Sequence, residues 1–254
     1  MQTTLLLNSS ESAQDSANFS VNYIPPIQLD PAKQYEIGLI SCTCWNAMPN
    51  VKTDVNDGFW FTTFTASSIS TTKKVKIPQG AYNITDLNRT IKELITKAGG
   101  VADNFELAAN YNTLRSRITL KNIKIDFEPR EISIAQLLGF TEKIYEACDY
   151  DQAITYDSEL PVNITEVNTI LVNCYIASGS YTSKGSKGQT IYSSSPEVPP
   201  GFRMQITPRH IIYYPVNLEN QISIIIMQLT DQSGKQLYLN NEVVTYYLHL
   251  REQK

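Results

Sequence analysis

The chain has 254 residues, a formal net charge of −4 and an isoelectric point of about 5.3. Charged residues make up 18% of it, against about 25% in an average soluble protein. The densest basic spots are only Lys73 with Lys74 and the pair Lys184 and Lys187, so composition argues against a nucleic-acid-binding surface. A low-charge surface rich in Ser, Thr, Asn and Tyr instead suits burial against other protein copies.

The N-terminal residues match neither a signal peptide nor a membrane span. After Met1, the segment "QTTLLLNSSESAQDS" lacks a basic region and its apolar run is short. The longest apolar patch, "ISIIIM" at 222–227, has the length of a strand rather than the roughly 20 residues of a spanning helix. We therefore expect synthesis in a reducing cell interior and a flexible N-terminal arm over 1–17.

The cysteines fit no zinc or redox spacing. There are four of them, Cys42, Cys44, Cys148 and Cys174. Cys42 and Cys44 are two apart on a predicted strand, so they share one face of it. We expect buried or half-buried free thiols, the usual state of unpaired cysteine.

The first long strand is predicted from "YEIGLISCTCW" at 35–45, a mostly apolar run without helical period. This pattern is typical of a central strand covered on both faces. A second, aromatic strand is predicted from "GFWFTTF" at 58–64, and the polar connector "TASSISTT" at 65–72 follows it.

The clearest helix lies in "KVKIPQGAYNITDLNRTIKELI" at 74–95 and ends at Gly99 and Gly100. Asn83 is a favourable N-cap. The apolar residues recur at helical spacing and form one stripe: Ile84, Leu87, Ile91, Leu94, Ile95 and Ala98.

The residues after this helix predict two strands and a short second helix. "FELAANYNTLRSRITLKNIKIDF" at 105–127 alternates as strands do. "EISIAQLLGF" at 131–140 is typical of a short helix ended by Gly139, with Phe140 turning back into a small core. Residues 73–140 thus predict a β-α-β-β-α unit.

The last third of the chain reads as short strands separated by turns. The last pair, 222–230 and 242–250, is predicted to form a hairpin through the turn "DQSGKQ" and a short "LYL". Turns at intervals of about 8–12 residues indicate an antiparallel sandwich or barrel. The predicted strands are 168–181, 190–195, 202–208, 210–216, 222–230 and 242–250.

Motifs of catalysis are weak throughout. The two histidines, His210 and His249, lie in no triad or metal motif. "GSYTSKGSKG" at 179–188 misses the spacing of a phosphate loop, and no helix follows it. The acidic "YEACDYDQ" at 145–152 lacks the glycine of a calcium loop. We expect no enzyme, and no catalytic, cofactor-binding or metal-binding residues.

Tyrosine is abundant, with fifteen copies. The pairs Tyr213–Tyr214 and Tyr246–Tyr247 place one ring on each face of their predicted strands. Outward tyrosines suit protein interfaces. The alternative is that they merely coat the ends of the sandwich, and the sequence favours neither strongly.

Five strings of the sequence carry a family resemblance, in this order: "LDPAKQYEIGLISCTCWNAMPNV", "IPQGAYNITDLNRTI", "SIAQLLGF", "VNTILVNCYIASGSY" and "MQLTDQSGKQLYLNNEVVTYYLHLRE". They resemble the penton (minor capsid) proteins of Polinton/Maverick or adintovirus-like elements over about residues 18–252. The shorter pattern G-x-Y-x-x-x-x-L … L-L-G-F also resembles a segment of structural proteins of large DNA viruses and virophages.

The resemblance implies a mainly β protein, an antiparallel single jelly-roll sandwich with a small α+β insertion. The chain is too short for a double jelly roll. The expected parts are a flexible arm at 1–17, a jelly roll at 18–64 and 146–254, and an insertion at 65–145. Whether the insertion is a separate domain or joins the main sheets stays open.

The implied function is that of a viral structural protein, a subunit that forms capsid vertices by self-association into a homopentamer. The implied partner is the major capsid protein of the same element, with no direct contact to nucleic acid or membrane. The implied location is the virion, after synthesis in the host cytoplasm and with nuclear assembly left open. The alternative is a receptor- or glycan-binding module like a fibre head, using Trp45, Trp60 and the loop 179–189.

Overall fold

The computed structural model describes residues 2–11, 16–65, 72–128, 132–147, 150–164, 167–181, 187–217 and 220–253. The chain forms two compact units. Unit 1 consists of Met1–Met48 and Val167–Lys254, and unit 2 of Pro49–Glu166. Unit 2 is therefore an insertion in the sequence of unit 1, and each unit has its own core.

The first part of unit 1 contributes β1 (Gln2–Asn8), β2 (Asn18–Gln28) and β3 (Tyr35–Trp45). Unit 2 contains β4 (Gly58–Thr63), β5 (Lys73–Lys76), α1 (Ile84–Lys97), β6 (Phe105–Asn110), β7 (Arg115–Lys121), β8 (Ile123–Asp126), α2 (Ala135–Leu138), β9 (Ile144–Glu146) and β10 (Ala153–Asp157). The second part of unit 1 contributes β11 (Ile170–Cys174), β12 (Ser180–Tyr181), β13 (Lys187–Gly188), β14 (Thr190–Ser194), β15 (Arg203–Ile206), β16 (Tyr213–Pro215), β17 (Gln221–Thr230) and β18 (Thr245–Glu252).

Unit 1 is a jelly roll by its strand order. One sheet runs β1-β18-β3-β15 and the other runs β14-β11-β17-β2, with antiparallel pairing throughout. Each sheet places strands from the beginning of the unit beside strands from its end, which is the double Greek key of a jelly roll. The expectation of an antiparallel single jelly roll is confirmed.

Two separate short strands pair with one edge of β3. β18 pairs with β3 along its length, so β15 and β16 share the other edge of β3, at Cys42–Trp45 and at Glu36–Gly38. Gly38 allows the chain before β16 to lie close. A Cβ atom on Gly38 would be 2.5 Å from Cγ2 of Ile211 and 2.8 Å from the carbonyl oxygen of Ile212.

The core of unit 1 follows from the alternation of side chains along its strands. In β18, Tyr246, Leu248 and Leu250 are buried between the sheets, while the residues between them face outward. Cys42 and Cys44 of β3 and Cys174 of β11 are buried free thiols, as expected. Cys148 lies outside the described residues.

Unit 2 is built from two antiparallel sheets and α1 around a second core. The sheets run β5-β4-β8-β9 and β10-β7-β6. The chain passes from β7 to β8 through Asn122 alone, which has a φ of 54°. Asparagine tolerates this left-handed conformation better than most residues, so a single position can turn the chain from one sheet into the other.

Helix α1 forms where the sequence predicts it. The side chain of Asn83 accepts a hydrogen bond of 2.8 Å from the backbone N–H of Asp86, which makes it the N-cap. Ile84, Leu87, Ile91 and Ile95 are buried, and Leu94 and Ala98 pack against the same core from its edge. Asn88 fixes the helix to β6, because its Oδ1 accepts from the N–H of Leu107 at 2.9 Å.

The L-L-G-F string forms the end of α2, and Gly139 ends the helix in the left-handed conformation, with a φ of 77°. The segment 158–163 docks on this turn. Leu160 donates its N–H to the carbonyl oxygen of Gly139 at 2.9 Å, and Asn163 donates to that of Leu137 at 3.0 Å. Phe140 is buried in the unit 2 core, as expected.

The expected boundaries are wrong in two places. Residues 2–8 are not an arm, because β1 pairs with β18 from Gln2 to Asn8 and buries Leu5 and Leu7; residues 12–15 lie outside the described residues. The insertion is larger than 65–145 and spans 49–166. β4 belongs to it because Phe59 and Phe61 pack in the unit 2 core.

The expected pairing of 222–230 with 242–250 is wrong, although the chain does turn back around 231–236, where Thr230 bridges Gln236 and Leu237 donates its N–H to the carbonyl oxygen of Leu229 at 3.0 Å. β17 pairs with β11 and β2, whereas β18 pairs with β1 and β3. The connection between them crosses from one sheet to the other, so that each strand finds its partners far away in sequence. Leu237 and Leu239 of this connection are buried in the core of unit 1.

Candidate assembly surfaces

The first candidate surface is the side of the sheet β14-β11-β17-β2 turned away from the core, here called the uncharged face. Asn18, Gln228, Asn173 and Thr190 form one row across its four strands. Thr190 donates from Oγ1 to Oδ1 of Asn173 at 2.7 Å. Asn173 in turn donates from Nδ2 to Oγ1 of Thr230 at 3.1 Å. These polar groups are therefore hydrogen-bonded to one another within the sheet.

The four strands of this sheet contain no Asp, Glu, Lys or Arg. Besides the polar row, the outward side chains include Ser20, Ile224 and Ile226, and Ile224 is 39% exposed. A sheet face that remains in water ordinarily carries polar and charged side chains, whereas a face that becomes buried seldom carries unpaired ionised groups. A face without charge can be covered by another protein at little desolvation cost.

A groove with a volume of about 390 Å³ lies over the β11 and β14 side of the uncharged face. Leu171, Tyr175 and Ala177 contribute apolar surface to it, and Lys187 is the one charged side chain among the described lining residues. The hydroxyl of Tyr175 is bonded to Oε1 of Gln228 at 3.1 Å. The volume is within the range of pockets that hold a small ligand or a few side chains.

The opposite edge of the same sheet carries a projection. β2 is the edge strand, and its residues 23–26 stand against Ser223 alone, because Asn22 pairs with Ile224 and Ile27 with Ile222. These four residues, here called the β2 bulge, place Ile24 at the surface with 94% exposure. Proline has no N–H to offer a further strand, so Pro25 and Pro26 block strand addition at this edge.

The outward side of the other unit 1 sheet carries paired aromatic and apolar residues. Leu6 of β1 lies directly opposite Tyr247 of β18, and they are 56% and 42% exposed. Trp45 lies opposite Arg203 in the same way. The expectation of one tyrosine ring on each face holds, because Tyr246 is buried while Tyr247 is exposed.

Tyr213 organises the charged end of this second sheet. Its hydroxyl oxygen lies 2.6 Å from Nδ1 of His249, and the guanidinium of Arg251 stacks over its ring at 3.4 Å. Arg251 also bonds Oε1 of Glu36 at 2.6 Å. This cluster is a packed cation–π and ion-pair arrangement on the sheet surface.

The surface of unit 2 has a different character. Arg117 of β7 forms a two-pronged ion pair with Asp157 of β10, at 2.6 and 2.9 Å, and Lys121 pairs with Asp151 at 2.9 Å. The hydrogen bond from Arg117 lowers the pKa of Asp157 below its usual value. Such an outward face, with charges of both signs in pairs, is typical of a sheet that stays in water.

Glu159 is the carboxylate with the most strongly shifted pKa among the described residues of unit 2. Burial alone would raise its pKa, but hydrogen bonds from Lys143, the Thr141 N–H and Tyr145 lower it to about 2. The distances are 2.7 Å from Lys143 and 3.1 Å from Thr141, with the Tyr145 hydroxyl at 2.8 Å from Oε2. This arrangement anchors the segment after β10 to the α2–β9 turn and has the form of a structural ion-pair network.

The other residues that the sequence singles out do not form a common site among the described residues. His210 is exposed, and Trp60 is buried in unit 2 beneath Lys74, at 5.3 Å. Asp149 and residues 182–186 of the loop 179–189 lie outside the described residues. Among the residues the structure describes, no group of three or more His, Cys, Asp or Glu is placed to hold a metal ion. No helix in the described ranges is long and apolar enough to cross a membrane.

Sequence reasoning missed Asn50, which is buried at the start of unit 2. Its Nδ2 donates to the carbonyl oxygens of Tyr82 and Ile164, at 2.7 and 2.9 Å, and its Oδ1 accepts from the N–H of Tyr82 at 2.9 Å. A single polar residue in a turn-rich segment carries no periodic signal, so only the folded arrangement identifies it.

Two solved structures are similar to this chain. One is the SeMet-labelled mavirus penton protein, with 12% identity, a TM-score of 0.48 and 100% of both chains covered. The other is a chain of the Sputnik virophage structure by cryo-EM, with 11% identity, a TM-score of 0.38 and 97% of both chains covered. No family model and no curated protein matches. The jelly-roll fold of unit 1 itself is established by its strand order.

Proposed function

We propose that the protein is a viral structural subunit that assembles through unit 1 into the closed ring of a capsid vertex, a homopentamer. The observation that carries the proposal is the contrast between the two units. The uncharged face of unit 1 lacks ionised residues on all four strands, whereas the sheet β10-β7-β6 of unit 2 carries paired charges.

The physical reason is desolvation. Removing an unpaired ionised side chain from water is costly. Removing apolar groups, or hydroxyls and amides that are already hydrogen-bonded, is not. The uncharged face of unit 1 thus offers surface that association removes from water at little cost, and the outward side of the sheet β10-β7-β6 in unit 2 offers surface that water stabilises. In the proposed assembly, unit 1 is surrounded by sibling subunits and by the major capsid protein of the same element, and unit 2 stays solvated on the virion.

Imaging the purified full chain by negative stain, with light scattering over a range of concentrations, tests the proposal. We expect rings that disassemble when Ser20 of the uncharged face is changed to Lys. Thr119→Lys is the matched control, because Thr119 is also a half-buried hydroxyl residue facing outward, but from β7 of unit 2. Rings that persist in Ser20→Lys, or a wild-type chain that stays monomeric at high concentration, contradict the proposal. Trimers that bind glycans would favour the fibre-head alternative.

A further inference from the structure

We infer that the subunits of this ring are joined head to tail, with the β2 bulge of one copy seated in the groove over β11 and β14 of the next. This inference rests on the proposed self-association and names the two surfaces that meet. The partner is a second copy of the same chain.

The groove and the β2 bulge lie in different parts of the same sheet. In the order β14-β11-β17-β2, the groove lies towards one edge of the sheet and the bulge lies at the other. A ring of more than two identical subunits needs two different patches on each copy, one donating and one accepting. A projection and a recess at opposite edges of one sheet meet this requirement.

The β2 bulge presents apolar surface to the solvent. Ile24 is 94% exposed and is followed by two prolines. Removing an exposed isoleucine from water favours association, and prolines keep the segment ordered before it binds. Because this edge cannot add a strand, contact there is made by side chains rather than by backbone pairing.

The groove contains polar groups that are already hydrogen-bonded within the subunit. Three polar side chains of the groove, Thr190, Asn173 and Thr230, are already hydrogen-bonded to one another. Gln189 likewise donates to the carbonyl oxygen of Tyr175 at 3.0 Å. A sugar or another polar ligand needs free donors and acceptors to replace its own hydration, whereas an apolar projection needs a recess whose polar groups are satisfied. The groove therefore suits Ile24 and Pro25 better than a polar small molecule.

A charge-swap experiment tests the contact in the full chain. Ile24→Lys places a cation opposite Lys187 of the next copy, and Tyr175→Glu places an anion in the groove. Each single variant is expected to raise the protein concentration needed for half assembly by about tenfold or more. The double variant Ile24→Lys/Tyr175→Glu is expected to recover most of the loss, because lysine and glutamate then face each other between copies. Leu114→Asp, at a 67% exposed leucine of unit 2, is the control and should leave assembly unchanged.

A disulfide experiment gives a second readout that does not depend on charge. With Ile24→Cys and Tyr175→Cys in one chain, oxidation should produce a ladder of cross-linked oligomers on a non-reducing gel. The two positions cannot pair within one copy, because β17 separates β11 from β2 by about two strand spacings, roughly 9 Å, beyond the reach of a disulfide. Neither single variant should give the ladder.

The outcomes separate the inference from the proposed function. Rings that form in the wild type, persist in both single charge variants and give no ladder overturn this contact while self-association stands. A wild type that forms no rings overturns both.

Discussion

The side-chain amide of Asn50 donates a hydrogen bond of 2.9 Å to the carbonyl oxygen of Ile164, which joins the beginning and the end of unit 2. The same amide bonds the carbonyl oxygen of Tyr82, just before helix α1. One buried side chain thus links the two ends of unit 2. It does so through an amide, which can donate and accept hydrogen bonds at the same time.

Replacing Asn50 tests this closure. Asn50→Ala leaves two carbonyl groups and one N–H without partners, so we expect it to lower the free energy of unfolding by about 3 kcal/mol. Asn50→Asp should cost more, because a carboxylate then faces two carbonyl oxygens. Urea unfolding followed by tryptophan fluorescence measures both, since Trp60 lies in unit 2. Asn112→Ala, at an exposed hairpin position, is the control and should change stability by under about 0.5 kcal/mol. Equal stabilities for all three variants would refute the role of Asn50.

Gly139 in the L-L-G-F string should tolerate no side chain. A Cβ atom there would lie 2.3 Å from the carbonyl oxygen of Leu160, at a φ of 77°. We expect Gly139→Ala to cost about 3 kcal/mol or more, the sum of left-handed strain and a backbone clash. Gly201→Ala has the same strain, with a φ of 82° and nothing within 4 Å of the added atom, and should cost about 1–2 kcal/mol. Thermal unfolding compares the two, and an equal loss would remove the clash as an explanation.

The buried thiols should be unreactive in the folded protein. Burial raises the pKa of Cys174 to about 11, and Cys42 and Cys44 are buried with it in the core of unit 1. A disulfide reagent needs a thiolate that it can reach, and Cys44 is buried although the hydrogen bond from Cys42 lowers its pKa. Labelling at pH 8 should therefore modify at most one of the four cysteines. The variant Cys148→Ser keeps only the three buried thiols, so it should show no fast reaction. All thiols should react after denaturation, and fast labelling of two or more in the native state would contradict the burial of the three.

The Glu159 network predicts a loss of stability in acid. Since its pKa is lowered from 4.5 to about 2 in the folded chain, the folded state binds the proton more weakly than the unfolded state. The stabilisation is fully present above pH 4.5 and is lost as the pH falls towards 2. Melting temperatures measured across this range should fall less steeply for Glu159→Gln, and Asp103→Asn should follow the wild type. A Glu159→Gln profile parallel to the wild type would refute the assignment.

The sequence was sufficient for elements whose signals are local. Helix α1 has a capping asparagine and an apolar stripe, and α2 ends at a glycine, so both could be placed closely. The absence of charged residues from the four strands of the uncharged face is also visible in the sequence. Only the fold shows that these strands are neighbours in one sheet.

Long-range pairing was not accessible in the same way. The run at 58–64 predicts a strand but cannot say whether Phe59 and Phe61 enter the first core or the second. Leu5 and Leu7 alternate as in a strand, yet residues 2–8 are stable only because β18 lies beside them, more than two hundred residues later. The wrong pairing of 222–230 with 242–250 has the same cause, since nearness in sequence favoured a strand pair that the jelly roll does not use.

The number of subunits in the particle formed by the purified chain tests the central claim most directly. Native mass spectrometry at micromolar concentration should give a single closed species with five times the 28.6 kDa mass of the chain, and the same species should be lost in Ser20→Lys. A monomer that persists at the highest accessible concentration, with its uncharged face in water, would contradict the account.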